Sequence, residues 1–479
     1  MYKIMYCGIT QNDRLGKFFE LVGCFYLCDN VRGEKMNTVK LKTLCGDIVG
    51  LDNGDYVEFR GIKYADAGRW EYPVVNEKWD GVYDATAFGD CCYQHRGFED
   101  DAKVNPFYHR EFRRGMSFTY SEDCQYLNIS APKNAKNCPV LLYIHGGSFT
   151  GGSSNEGHIS GKAYAENDIV FVSVNYRLGP YGFCSHPDVA DESGVCGNFG
   201  LFDQAAALKW IKNNISSFGG DPDRITLLGQ SAGAMSVDVL LSSPLTKDMV
   251  SGAVMLSGAA LQRALSRPLS PQKMKKFWDE IIKNAGKTSL SELRGTDAKT
   301  LYYAWLKACR DEGIKSTLFY TLPCDDGKLL TKDTFNIKTI SAMPKILGVT
   351  TADMIPIVLK LLVKKWVRND KGSKCFVYLF ARDLPGDNCG AWHSSDLPYV
   401  FSTLKNSWRP FTDIDCLISE QMVSAISAFV KSGDPNCREI PTWKPGTHKV
   451  MNFCEKTRLA GWKTATLIKN TLFNKGPVL

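Results

Sequence analysis

The sequence predicts an α/β fold: a mostly parallel, doubly wound central sheet flanked by helices. Three observations carry this. Six short runs rich in Val, Ile, Leu or Phe do not alternate with polar residues, which is how strands buried on both faces of a parallel sheet read. Longer helical patterns separate those runs, and strand-helix-strand order favours parallel pairing. One segment, Ser270–Ala308, looks mainly helical and lies off the alternation, as an inserted cap would.

In chain order the predicted strands are Val140–Ile144, Ile169–Val174, Ile225–Leu228, Ala253–Leu256, Ile346–Val349 and Phe376–Phe380. Between the second and third, Phe199–Phe218 carries Leu201, Ala205, Leu208, Ile211 and Ile215 at helical spacing, and Gly219-Gly220 stops it. No repeat, low-complexity tract or Pro/Ser-rich linker interrupts the chain, so residues 36–479 are expected to form a single domain. Residues 1–35 are expected to be an extension ahead of the true start. Met36 runs directly into the first domain-like pattern, and Arg32-Gly33-Glu34-Lys35 is the kind of string that a purine-rich ribosome-binding site would encode.

Composition excludes several classes. Of 479 residues, 44% are hydrophobic and 23% charged, which is globular rather than disordered or fibrous. The 58 basic and 51 acidic residues leave a net charge of +7, scattered rather than striped, so nucleic acid is a poor partner. No window approaches the roughly 18 to 20 apolar residues that span a bilayer, so no stable membrane insertion is expected. The apolar patch Phe18–Leu27 is broken by Glu20 and Cys24 and lacks the flanks of a secretory signal. The 17 cysteines include no CxxC pair, and most read as reduced, buried thiols of a cytoplasmic protein.

Chemistry concentrates at Gly229-Gln230-Ser231-Ala232-Gly233, between the strand Ile225–Leu228 and a helical stretch, Met235–Leu241. This is the setting of a G-x-S-x-G nucleophile elbow, which projects the serine hydroxyl from the sheet edge and aims the following N–H, here that of Ala232, the same way. Upstream, Val140–Ile144 runs into His145-Gly146-Gly147-Ser148, a Gly-rich loop that can turn backbone N–H groups toward a developing oxyanion. A serine nucleophile needs a base and an orienting acid. Only His393 and His448 follow Ser231; His448 lies in a polar stretch that reads as surface, so His393 is the better base. Asp353 follows the strand Ile346–Val349, where catalytic groups collect in open α/β sheets. From position alone it is equally a helix N-cap for the segment beginning at Met354.

With these pieces the sequence resembles the type-B carboxylesterase/lipase family, which includes cholinesterases and bacterial para-nitrobenzyl esterases. The resemblance runs through Phe59-Arg60-Gly61-Ile62-Lys63-Tyr64-Ala65, Ser121-Glu122-Asp123-Cys124-Gln125-Tyr126-Leu127-Asn128, Asn175-Tyr176-Arg177, Gly197–Gln204, Phe218–Pro222, Asp326-Gly327 and Gly433–Asn436. It implies an α/β-hydrolase fold with inserted helical caps. It also implies ester hydrolysis by Ser231, His393 and Asp353, with N–H donors from Gly147, Ser148 and Ala232 and with Ser257 behind the triad. No metal or organic cofactor is implied. Cys92 and Cys124 stand where secreted relatives carry a disulfide pair.

Some positions depart from the family pattern. Lys63 replaces a proline, and Ser148 replaces Gly or Ala. Gln230 replaces a frequent Glu, which removes a charge that would favour cationic substrates. Asp353 and His393 are 40 residues apart, short for the family, so an opened entrance is expected. Two other readings stand beside esterase: a non-catalytic binding protein on the same scaffold, and an acyltransferase using the same triad. The segment Met354–Arg368, apolar with Lys360, Lys364, Lys365 and Arg368, reads as a packed helix with a basic face, or else as a lipid-touching one.

Overall fold

The computed structural model describes residues 37–190, 194, 197–259, 271–312, 323–331, 334 and 342–473; the expected extension, residues 1–35, lies outside them. Thirteen strands form the main sheet among the described residues. They are β1 (Thr38–Thr43), β2 (Gly46–Asp52), β3 (Tyr56–Lys63), β4 (Val82–Asp84), β5 (Tyr126–Pro132), β6 (Cys138–Ile144), β7 (Val170–Val174), β8 (Gly220–Gln230), β9 (Gly252–Leu256), β10 (Lys345–Thr350), β11 (Cys375–Phe380), β12 (Val450–Phe453) and β13 (Arg458–Ala460). Their order is β1-β2-β3-β5-β7-β6-β8-β9-β10-β11-β12-β13, with β4 alongside β2. From β7 to β12 every pairing is parallel, and the pairings from β1 through β5 to β7 are antiparallel. All six predicted strands are present, most of them a residue or more longer at one end or both.

Successive side chains of one strand enter two different cores. On β6, Val140, Leu142 and Ile144 join one hydrophobic cluster, whereas Leu141 and Tyr143 join the other. Both faces are dry, so an apolar residue is favoured at every position, by roughly 1.5–3 kcal/mol for a large buried side chain. That is why the run does not alternate.

The longer helices among the described residues are α1 (Phe199–Asn214), α2 (Ala232–Ser242), α3 (Pro271–Asn284), α4 (Ala298–Asp311), α5 (Pro356–Asn369), α6 (Asp413–Ser432) and α7 (Thr464–Phe473). The predicted helix Phe199–Phe218 ends at Asn214 and tightens into a final turn, Ile215–Phe218, before Gly219 at φ +80°. The Ser270–Ala308 region holds α3 and α4, joined through the short helix Leu290–Arg294. Trp278 of α3 packs edge-on against Trp70 at 5.7 Å. Arg69 fastens this cap to the body: its guanidinium pairs with Glu122 and donates to the carbonyls of Leu293, Arg294 and Thr296.

Several of the family-like blocks are structural fasteners. Asn128 accepts from the Gly61 N–H at 2.9 Å, joining β5 to β3. Arg177 and Asp203 form a buried two-pronged pair at 2.8 and 2.7 Å, and such a pair is costly to break from one side. Asp326 accepts from the N–H groups of Lys328, Leu329 and Leu330 and from Asn198. Cys92 and Cys124 are free, buried thiols in hydrogen-bond contact with each other.

Candidate active site

Three strand ends and one loop build the site at the C-terminal edge of the parallel sheet. β8 ends at Gln230 and α2 begins at Ala232, so Ser231 alone makes the turn, at φ +54° and ψ −122°. A non-glycine residue there is strained and must be held by its surroundings. The Ser231 N–H donates to the Leu256 carbonyl at 2.8 Å, and the Ser231 carbonyl accepts from Met235 N–H at 3.0 Å. Close approach demands glycine on both sides. A Cβ on Gly233 would lie 2.0 Å from the Ile144 carbonyl oxygen, and one on Gly146 would lie 2.6 Å from Gln230 Oε1.

The loop after β6 is locked against this turn. Ser148 and Phe149 both adopt positive φ, 56° and 59°. The buried Phe149 ring rests on Phe183 at 5.0 Å. Gln94 closes the loop with both ends of its amide, donating to the Gly152 carbonyl at 2.9 Å and accepting from Gly152 N–H at 3.0 Å. His145 stacks on Tyr176 at 4.5 Å, and burial pushes its pKa down to about 4, so it is a neutral packing residue. Among the described residues the N–H groups of Gly147 and Ala232 make no hydrogen bond.

Asp353 lies three residues past β10 and His393 in the loop after β11. The two loops are joined by Ala352 N–H donating to the Ala391 carbonyl at 2.9 Å and by a bridge between Ala352 and Trp392. His393 Nδ1 donates to Asp353 Oδ1 at 2.6 Å. The carboxylate also accepts from Met354 N–H at 2.9 Å and from the Thr350 hydroxyl at 3.2 Å. The bond to His393 favours the acid reading of Asp353 over the cap reading: α5 starts only at Pro356, its N-cap is Ile355, and no side chain caps it. Ser257, one residue past β9, is buried near this carboxylate and contributes to lowering its pKa, although its hydroxyl makes no hydrogen bond of normal geometry among the described residues.

Electrostatics follow from burial and pairing. Burial alone would depress the His393 pKa, but the charge and hydrogen bond of Asp353, with a further contribution from Asp396, raise it above the ordinary imidazole value. Burial would likewise raise Asp353, and the imidazole outweighs it, so the carboxyl sits below its usual range. On the far side of the ring, Gln230 Nε2 lies 3.3 Å from His393 Nε2. Among the described residues the Ser231 hydroxyl has no hydrogen bond to the imidazole.

His393, Asp353 and Gln230 thus meet at one place, next to the turn that carries Ser231, with the loop after β6 packed against that turn. His448 is exposed, as its polar stretch suggests. Asp396 had no role assigned from sequence. It is fully buried, accepts from the Tyr378 hydroxyl at 2.7 Å, and is pushed up to about 6 by burial and by the nearby Asp353 charge. Its position three residues after His393 was visible, but its partner comes from β11 and only folding unites them. Between Asp353 and His393 the chain holds only α5 and β11 as regular elements. Among the described residues no cluster could hold a metal ion, and no helix is long and apolar enough to cross a membrane.

The sequence profile of the carboxylesterase family matches residues 35–370 and 357–466. The para-nitrobenzyl esterase of Bacillus subtilis (strain 168) is 35% identical over 322 residues, 64% of this chain and 61% of that protein. The fumonisin B1 esterase of Sphingopyxis macrogoltabida is 37% identical over 236 residues, 48% of this chain and 40% of that protein. The matches therefore span less than two thirds of either relative. Among solved structures, a carboxylesterase of Geobacillus stearothermophilus superposes with a TM-score of 0.73 at 27% identity, covering 90% of this chain and 99% of that one. The likeness confirms the α/β-hydrolase fold, with its large, mostly parallel sheet flanked by helices.

Proposed function

The chain belongs to the carboxylesterase family, and on that premise we propose that it is a serine carboxylesterase hydrolysing small-molecule carboxylic esters through an acyl-enzyme. The observation that carries the reading is the position of His393. Its Nδ1 is engaged by Asp353 at 2.6 Å, while its Nε2 faces the elbow through Gln230 at 3.3 Å.

The Asp353 bond fixes the imidazole with its proton on Nδ1 and leaves Nε2 as an acceptor. A turn of the Ser231 side chain exchanges the Gln230 amide for the hydroxyl at Nε2, a tightening expected when substrate binds. His393 then takes the Ser231 proton as Oγ attacks the ester carbonyl. The oxyanion is received by the N–H groups of Gly147, Ser148 and Ala232, where one donor is worth about 3 to 4 kcal/mol. Collapse expels the alcohol, which takes the proton from His393 and leaves acyl-Ser231. Water, deprotonated by the same imidazole, attacks the acyl carbonyl; the acid is released and the serine regains its proton. Each step is served by groups of this chain.

A panel of p-nitrophenyl esters of increasing acyl length tests the reading. Wild type is expected to release p-nitrophenolate with saturation, and Ser231→Ala to fall to the uncatalysed background for every ester. Undiminished turnover in Ser231→Ala would overturn the assignment.

A further inference from the structure

The two helices beside the acid loop carry a surface for which hydrolysis has no use. α5 buries Leu359, Val363 and Trp366, which satisfies its core-facing side. Its opposite stripe is also apolar at the N-terminal end: Met354, just before the helix, is 68% exposed, and Leu361 is 59% exposed, with Val358 between them. The same stripe continues with exposed Lys365 and Arg368.

α7 runs antiparallel against α5. Thr464 accepts from Lys360 Nζ at 2.7 Å, and Thr471 accepts from Ile357 N–H at 3.2 Å. This brings Leu472, 67% exposed, and Phe473, 77% exposed, to the end of α5 that bears Met354 and Val358. Isolated exposed hydrophobes need no explanation, but a shared apolar strip on two packed helices does.

Charge says what the strip would meet. Residues 354–369 hold four basic side chains and no acidic one, and residues 456–473 do the same. Those eight charges exceed the whole chain's excess of +7, so the rest of the molecule is close to neutral. The flanking acids are already engaged: Asp353 with His393, Asp370 with Lys345, and Glu455 with Arg382. Lys360 is buried against Thr464 and Arg458 lies on β13, but Lys365 and Arg368 of α5 and Lys469 of α7 are exposed. An apolar strip edged by such cations matches an anionic lipid–water interface, where apolar insertion and headgroup attraction add.

We propose that the α5–α7 face docks the protein on anionic phospholipid bilayers. Docking sets Met354, and with it the acid loop, at the membrane surface. The surface is independent of the hydrolytic chemistry, so binding is the readout.

The full chain is sedimented with vesicles of phosphatidylcholine alone or mixed with phosphatidylglycerol. Binding is expected to the mixed vesicles and much less to the neutral ones. Each basic residue near such a surface contributes about fivefold in affinity, so Lys365→Gln with Arg368→Gln should weaken binding by roughly 25-fold. Leu361→Ser with Leu472→Ser and Phe473→Ser should abolish it. Both variants should keep wild-type turnover of a short, soluble p-nitrophenyl ester, which reports that they fold. Equal affinity for neutral and anionic vesicles, no binding to either, or a solution dimer that the serine variant dissolves would each overturn the proposal.

Discussion

The arrangement at His393 makes a specific statement about pH. Its imidazole pKa is raised above the ordinary value because the Asp353 and Asp396 charges outweigh burial, and only the neutral ring can accept the serine proton. Turnover should therefore fall as pH drops through a value above 6.5. Gln230 is the neutral neighbour of Nε2. Placing a carboxylate there, in Gln230→Glu, favours the imidazolium and should move the acid limb of kcat/KM upward by about one unit; an unmoved limb would mean that the contact does not tune the base. Ser231 and His393 were legible because a motif and chain order single them out. Asp353 was ambiguous by position, and folding resolves it: the carboxylate bonds to His393, while the helix that follows begins at Pro356 with Ile355 as its N-cap. The Gln230 contact was not legible, since a substitution seen only as a lost charge says nothing about which nitrogen its amide meets.

At the level of elements, the elbow exists because β8, α2 and the loop after β6 approach within backbone contact. Gly233→Ala puts a methyl carbon 2.0 Å from the Ile144 carbonyl and 2.8 Å from that of His145, neither of which can swing aside as a side chain would. We expect a loss of about 3 kcal/mol or more in unfolding free energy, read from the urea midpoint, together with loss of esterase activity as the Gly147–Ser148 loop is displaced. An unchanged midpoint would show that the loop is looser than its packing indicates. The strands were legible because burial on both faces writes an uninterrupted apolar run. The exposed strip on α5 was not: periodicity shows that Met354–Arg368 is helical, but not that Val358 and Leu361 point away from the core while Leu359 and Val363 fill it.

For the whole molecule, the sheet that holds the site begins at Thr38, two residues past Met36. The expected start at Met36 carries a test: removal of residues 1–35 should leave both thermal midpoint and turnover of a p-nitrophenyl ester within error of the full chain. A drop in either would give those residues a role. The overall architecture was readable because seven ordered sequence blocks mark it, several of them as fasteners such as Arg177 with Asp203. The face that meets other molecules was not, because it depends on which side chains remain uncovered after packing. The central claim, that one hydroxyl is activated by groups converging from three strand ends, is tested most directly by a fluorophosphonate probe followed by peptide mass spectrometry. The account predicts one adduct per chain, on the peptide containing Ser231, slowed strongly in Asp353→Asn and absent from heat-unfolded protein. Folded wild-type protein that carries no adduct at Ser231, or carries it elsewhere, would contradict it.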